Sequence, residues 1–390
     1  MRIKEFYKMK KTWKIVAALL VIVMAFGMLA ACDNKTSDTQ GDDNSDAAYR
    51  VGHSQLGPDW IMAEYSRLCV ELMRAHHPNS TFEYSLADFQ SDNMRNAIQS
   101  YIGSGVDAIY WYAIFAALTP IIVSMCEQAN VPVGIGHIPP TPDQYEMLLA
   151  SPVFTGYVGG NLYWAGYQLG EQAIRDGGRV AIIEIGVPGT FDMESKRTGF
   201  TDAFEAGGGQ VVAYASASTP DEALPKSTDM LNAHPDVDVA YAGTGFHCVG
   251  LMQAVRNLNR QDTVKIYTSD VDLDLVQPIR DGLLAAGDGG SQVEMILALA
   301  LIINWLDGHQ ILDPNGKAPI FDDMRNCLIT ADNVDEFQRV FVDNNCFTLE
   351  MFRHFLYRYN PDVSYQTYKD FVDNYDYEWF MEFRRSFGAN

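Results

Sequence analysis

The chain has 390 residues, with 50 Asp and Glu against 28 Lys and Arg and a formal charge of −22. So acidic a balance argues against nucleic acid as a partner and against attachment to anionic lipid through basic residues. Hydrophobic residues make up 47%, and the length suits two domains of ordinary size.

The chain opens on a leader. Lys8, Lys10, Lys11 and Lys14 precede an unbroken apolar run from Ile15 to Ala31, which closes with Leu29-Ala30-Ala31-Cys32. A basic stretch, a short apolar segment and small residues before a cut describe a bacterial secretory signal. The run is 17 residues, short of the roughly 20 that span a bilayer. Cys32 directly after Leu-Ala-Ala resembles a lipoprotein signal, whose thiol is acylated and becomes the mature N-terminus. Residues 1–31 are therefore expected to be removed and Cys32 to carry the lipid, the only contact with the membrane. Met9, followed by Lys10-Lys11, is an alternative start. Loss of the leader removes six basic residues and one acid, taking the charge to −27. Residues 32–48 are rich in Asp, Ser, Asn, Thr and Gly without a large apolar side chain. They cannot repay their ordering entropy by burial, and a flexible tether is expected.

From Tyr49 onward, strand-like apolar runs alternate with helical spacing. Strands are expected at 49–52, 81–84, 108–111, 131–135 and 153–158, and then at 180–185, 211–215, 239–242 and 264–267. Helical spacing covers 61–75, 92–103, 118–130, 163–175 and 198–206. This alternation gives parallel sheets with helices on both faces, and two such series give two similar lobes. Ligands of open α/β sheets bind outside the carboxyl ends of the strands, so the cleft should lie where the two sets of ends face each other.

Cys69, Cys126, Cys248, Cys327 and Cys346 show no C-x-x-C or Cys/His ligand spacing, which argues against a zinc site. The first three read as small core residues. Cys327 and Cys346 are open to pairing in an oxidising compartment.

The order and spacing of several short motifs resemble the periplasmic-binding-protein type I family, the sugar-binding partners of ABC importers. They are Gly105-Val106-Asp107-Ala108-Ile109, Ala129-Asn130-Val131-Pro132-Val133, Lys196-Arg197-Thr198-Gly199-Phe200 and Asp236-Val237-Asp238-Val239-Ala240-Tyr241-Ala242. Thr268-Ser269-Asp270, Ile279-Arg280-Asp281-Gly282 and Leu328-Ile329-Thr330-Ala331-Asp332-Asn333-Val334 complete the series. The opening Val51-Gly52-His53-Ser54-Gln55-Leu56-Gly57 followed by Trp60 looks most like members that bind hexoses, including galactofuranose. The resemblance implies two Rossmann-like lobes joined by a three-strand hinge, with 49–157 plus 291–312 in the first lobe. Residues 158–290 plus 313–340 would form the second lobe and hinge. Residues 341–390 lie beyond the family core and hold 15 aromatic residues. Their helical spacing at Phe352, Phe355 and Tyr359 and at Tyr368, Phe371 and Tyr375 suits helices packed on their own domain.

A sugar site needs an apolar platform for the ring and charged or amide groups for the hydroxyls. Trp60, after the turn Gly57-Pro58, is the expected platform, and Asp270 falls where the family places a hydroxyl-binding Asp. The family's Arg before Gly-Phe falls on Lys196, with Arg197 beside it. Its Asp-Arg pair falls on His137-Ile138, and its Asn-Asp pair on Thr244-Gly245. Tyr112, Phe191 and Phe246 are aromatic candidates for the same space. Asp270-x-Asp272-x-Asp274 lacks the Gly and Glu of a calcium loop and reads as acids at a helix start.

The expected function is a solute-binding lipoprotein that captures a small polar ligand, a monosaccharide, by lobe closure and delivers it to an ABC permease. The alternative is a sensor docking on a receptor or sensor kinase. No nucleophile elbow, zincin or Walker motif points to an enzyme. No cofactor or metal is expected, and the protein is expected to work as a monomer.

Overall fold

The structure is a computed structural model that describes residues 48–57, 60–186 and 189–389, the side chains of 60–63 and 65 excepted. The leader, Cys32 and most of the tether lie outside the described residues.

Strand and helix alternate from the first described residues. β1 (Arg50–Gln55), β2 (Thr81–Leu86), β3 (Ala108–Trp111), β4 (Val133–His137) and β5 (Phe154–Gly160) are separated by four helices. These are α1 (Trp60–His76), α2 (Ser91–Gly103), α3 (Thr119–Ala129) and α4 (Tyr145–Ala150). α5 (Leu162–Arg175) then opens a second series. It contains β6 (Val180–Ile185), α6 (Phe191–Ala206), β7 (Gln210–Ser216), α7 (Pro220–Ala233) and β8 (Val239–Ala242). α8 (Gly245–Asn257), β9 (Lys265–Thr268), α9 (Leu273–Arg280) and β10 (Leu284–Gly289) complete it. The chain ends with α10 (Gln292–Leu306), β11 (Ile320–Met324), β12 (Cys327–Thr330), α11 (Val334–Phe337), α12 (Leu349–His354), α13 (Tyr365–Asn374) and α14 (Tyr377–Ser386).

The first sheet has the order β11-β5-β4-β3-β1-β2 and the second β12-β10-β9-β8-β6-β7. Every pairing is parallel except β10 with β12. The five-strand cores share one order, and direction reverses between β1 and β3 and again between β6 and β8. Those reversals open crevices at the strands' carboxyl ends. Strands covered on both faces read as continuous apolar runs; β3 and β8 are buried at every residue.

The chain passes between sheets after Gly160, after Gly290 and again between Met324 and Cys327. β11 is an edge strand of the first sheet, so the segment 313–340 is divided between the two sheets. α6 starts at Phe191, seven residues ahead of the helical spacing read from Thr198. Its first turns bury Asp192 and Lys196 beside Met193, and buried polar residues erase the apolar period. α5 and α6 pack with almost no gap: a Cβ on Gly166 would lie 1.9 Å from the Lys196 carbonyl oxygen, and one on Gly199 2.0 Å from that of Tyr163. This contact fixes the height of Lys196.

α10 is buried from Gln292 to Asn304 without a solvent face. One side lies on β3, β4 and β5, and α1 and the C-terminal helices cover the rest. Asn304 explains the tail's attachment. Its Nδ2 donates to the Phe355 carbonyl at 2.8 Å and to Tyr368 Oη at 3.0 Å, and its Oδ1 accepts from Tyr357 N–H at 2.8 Å. The rings of Phe355 and Phe371 meet edge-to-face at 5.3 Å over this anchor, and Tyr375 Oη donates to the Gly290 carbonyl at 2.7 Å. The five cysteines from Cys69 to Cys346 are free and buried. An Asn304→Ala variant leaves the Tyr357 N–H without its partner, while the Phe355 carbonyl and Tyr368 Oη keep their mutual bond of 2.8 Å, and is expected to lose about 1–3 kcal/mol. Limited proteolysis should then cut within 345–390 before the rest of the domain.

Glu184, on β6, is fully buried, and its carboxylate oxygens have no hydrogen-bond partner among the described residues. Burial pushes its pKa up to about 8, against weaker opposing influences that include the charge of Lys226. The folded state thus holds a proton that the unfolded chain releases near its ordinary value, so stability falls as pH rises from about 4.5 to about 8. Glu184→Gln is expected to gain about 1–3 kcal/mol at pH 8 and little at pH 4, measured by urea unfolding at both.

Candidate functional site

The second lobe's share of the cleft is built on a buried cation. Lys196 is 4% exposed; its ammonium donates to Asp270 Oδ2 at 2.8 Å and to the Gly243 carbonyl at 3.4 Å. Gly243 and Asp270 follow the ends of β8 and β9. The Asp270 N–H donates to Asp288 Oδ1 at 3.0 Å, and Asn326 Nδ2 donates to Asp288 Oδ2 at 3.2 Å. Burial and the neighbouring Asp270 push the Asp288 carboxyl up to about 6, with Lys196 and Asn326 opposing. Burial pulls the Lys196 ammonium down, but Asp270 and Asp288 outweigh it and hold it above its ordinary range. The network is a cation held between two carboxylates, with Asn326, from the third crossing, closing it.

The first lobe contributes a second buried pair. His137 ends β4, and its Nδ1 shares a hydrogen bond of 2.8 Å with Glu294 Oε2 in the first turn of α10. Tyr112 stacks on the imidazole with ring centroids 5.7 Å apart and planes 8° from parallel. Tyr157 Oη donates to the His137 carbonyl at 3.1 Å. Glu294 has no exposure, and its Oε1 has no partner among the described residues. Burial pushes its carboxyl up against the pull of His137; Asp270 adds to the push and Lys196 opposes it.

His137 and Asp270 both have left-handed backbones, with φ of 71° and 62°. Such conformations cost of order 1–3 kcal/mol outside glycine and persist where surroundings over-determine them, commonly at functional sites. One such residue at a strand's carboxyl end thus belongs to each of the two clusters, fixed by the hydrogen bonds above.

Residues 57–308 match the family described as Periplasmic binding protein domain. The chain belongs to the periplasmic binding protein family. That family comprises binding proteins of the bacterial periplasm or exterior rather than enzymes. The D-ribose/D-allose-binding protein of Pseudomonas aeruginosa is 27% identical over 220 residues, 54% of this chain and 67% of its own. The arabinose-transporter binding protein of Shewanella sp. ANA-3, solved with L-arabinofuranose, superposes with a TM-score of 0.64 at 18% identity, covering 77% of this chain and 98% of that one. A solute-binding protein of Bacillus halodurans solved with myo-inositol gives 0.63 at 19%, covering 77% and 99%. These structural likenesses establish the fold. They also leave about a quarter of this chain outside nearly complete relatives.

Within the family fold, the residues expected from sequence fall into three groups. Lys196, Asp270, His137 and Tyr112 form the two facing clusters. Thr244 sits at the edge of the Lys196 cluster and caps α8, its Oγ1 3.0 Å from His247 Nδ1. Arg197 turns the other way: it pairs with Glu194 at 2.9 Å and lies 5.1 Å from the Tyr214 ring centre. Phe191 is 42% exposed and lines a groove to one side, while Phe246 stands exposed beside His247. Trp60 opens α1, and its side chain lies outside the described residues. Asp272 accepts from Asp274 N–H at 3.0 Å as the cap of α9.

Asp288, Glu294 and Asn326 escaped the sequence reading. Glu294 left a signal, as a single acid inside the apolar run from Val293 to Ile303. Asp288 is the one charge among small residues between Ala285 and Ser291. No described residues form a cluster suited to a metal ion, and no helix among them is long and apolar enough to cross a membrane.

Lys196→Met removes the cation from the half-buried Asp270 and the buried Asp288, and such a loss costs about 3–5 kcal/mol when a buried pair is broken; the 22% exposure of the Asp270 side chain puts the expected loss at the lower end. The deficit should be larger at pH 8 than at pH 5, because protonation near 6 relieves Asp288. Urea unfolding at the two pH values measures it.

Proposed function

We propose that this chain is an extracytoplasmic solute-binding lipoprotein that closes its lobes on a monosaccharide and delivers it to an ABC permease. The observation that carries this reading is the pair of polar clusters, one per lobe, facing each other at strand ends and joined through three crossings. Carboxylates, an ammonium, an imidazole and an amide are concentrated there with little exposure to water, where charge-assisted hydrogen bonds to hydroxyl groups are strong and directional. Lys196, Asp270, Asp288 and Asn326 would hold one edge of the ring, and His137 and Glu294 the other. Tyr112 would set the orientation of His137.

Support for a sugar also comes from the relatives, whose names carry ribose, allose, arabinofuranose and myo-inositol. The family's Asp-Arg pair falls here on His137-Ile138, so no guanidinium is offered at that place, and Glu294 of α10 joins His137 instead. That exchange favours a ligand read by single hydrogen bonds from an imidazole and a carboxyl. The lipid anchor at Cys32 and its tether would keep the binding domain near its permease at high effective concentration.

A thermal-shift screen over ribose, allose, arabinose, galactose and myo-inositol, including forms locked as furanosides, tests the reading. A ligand that binds only the native state raises Tm by an amount set by RT ln(1 + [L]/Kd), and at least one compound is expected to do so. Asp270→Ala should abolish the rise. No response to any of them would sink the sugar assignment.

A further inference from the structure

Beside the clusters, a groove of about 450 Å³ runs between the lobes, within the range of about 300–1,000 Å³ typical of ligand sites. Tyr145, Asp322 and Asp323 line it from the first lobe, and Tyr163, Phe191 and Ser195 from the second. Tyr163 and Phe191 are 40% and 42% exposed, although large apolar rings usually gain by burial. β11 carries a bulge here: Phe321 pairs with Val158 and Met324 with Gly160, so three steps on one strand match two on the other. The extra residue leaves Asp322 and Asp323 both exposed between two buried neighbours. Bulges of this kind re-aim side chains next to functional sites. Asp323 Oδ1 accepts from Asn161 Nδ2 at 2.5 Å and Asp322 Oδ2 from Tyr145 Oη at 3.4 Å. Each carboxylate keeps a second oxygen with no hydrogen bond among the described residues, and no Lys or Arg is among the lining residues.

The groove adjoins the site. Gly160 lines it, and a Cβ there would lie 2.8 Å from Glu294 Oε1, the fully buried oxygen without a partner. Gly160 thus packs between the groove and that oxygen, where a larger residue would clash. On the other lobe, Ser195 precedes Lys196.

We propose that this groove is a second subsite that takes a further glycosyl or aryl ring attached to the sugar in the main cleft, so that the preferred ligand is a glycoside rather than a free monosaccharide. Phe191 and Tyr163 supply faces for the ring, and the free oxygens of Asp322 and Asp323 accept from its hydroxyl groups. The inference rests on the proposed sugar-binding reading.

Calorimetric titration of ribose, allose, arabinose and galactose, each against its p-nitrophenyl glycoside and a disaccharide carrying it at the non-reducing end, tests the subsite. A glycoside or disaccharide is expected to bind at least tenfold more tightly than its parent sugar. Phe191→Ala and Asp322→Ala should each remove most of that gain, and Asp322→Ala should leave the parent sugar's affinity within twofold. Glycosides no tighter than their parent sugars, or a gain indifferent to both substitutions, overturn the subsite while leaving the monosaccharide reading intact. Failure of every free sugar and every glycoside overturns both.

Discussion

One helix without a solvent face constrains everything around it. α10 leaves the second sheet through Gly290, crosses to the first lobe and is buried along 13 consecutive residues. A helix that is apolar all round must be covered on every side. The parallel strands β3, β4 and β5 cover one side, and α1 covers another. The remaining cover comes from the C-terminal aromatic helices, which is why a segment beyond the family core is built into the domain.

Two of the three polar residues of α10, Glu294 and Asn304, mark its two tasks. Glu294, in the first turn, sits where a helix terminus stabilises negative charge and reaches His137 in the cleft. Asn304, near the last turn, holds Phe355, Tyr357 and Tyr368 of the tail. Packing quality at one end therefore bears on the position of a site carboxyl at the other. Beyond Asn304, Asp307 accepts from Tyr49 Oη at 2.7 Å and pairs with Arg358. The start of β1, the end of α10 and the tail are thereby fastened at one point.

Most of the alternating architecture was legible because parallel strands covered on both faces must be apolar at successive positions, as Ala108–Trp111 and Val239–Ala242 are. β10 and β11 were not, since Ala-Ala-Gly-Asp-Gly lacks β-forming bulk and Phe-Asp-Asp-Met breaks alternation with a bulge. Lys196 and Asp270 were legible through motif position, and the early start of α6 was hidden by the same Lys196, whose burial depends on a partner 74 residues away. Asp288, Glu294 and Asn326 were hidden for that general reason. Their burial makes sense only once partners from other crossings are in place, and spacing along the chain carries no such information. Arg197 shows the converse: one residue from Lys196, it has the same charge, but the helical turn of about 100° per residue sends it to the outer face.

The three crossings are also where small residues and polar pairs coincide. Gly160 backs onto Glu294, Gly290 has a φ of 94° and accepts from Tyr375, and Asn326 donates to Asp288. A backbone that must change dihedrals during lobe movement gains freedom from glycine, whereas each hydrogen bond at a crossing opposes the change. Tyr375 is the case in which the tail joins this balance: its phenol is buried, and its partner is the carbonyl of the residue from which α10 departs. The lobe closure proposed above would have to keep or exchange that bond, which would bring the aromatic tail into the energetics of closure as well as into the core.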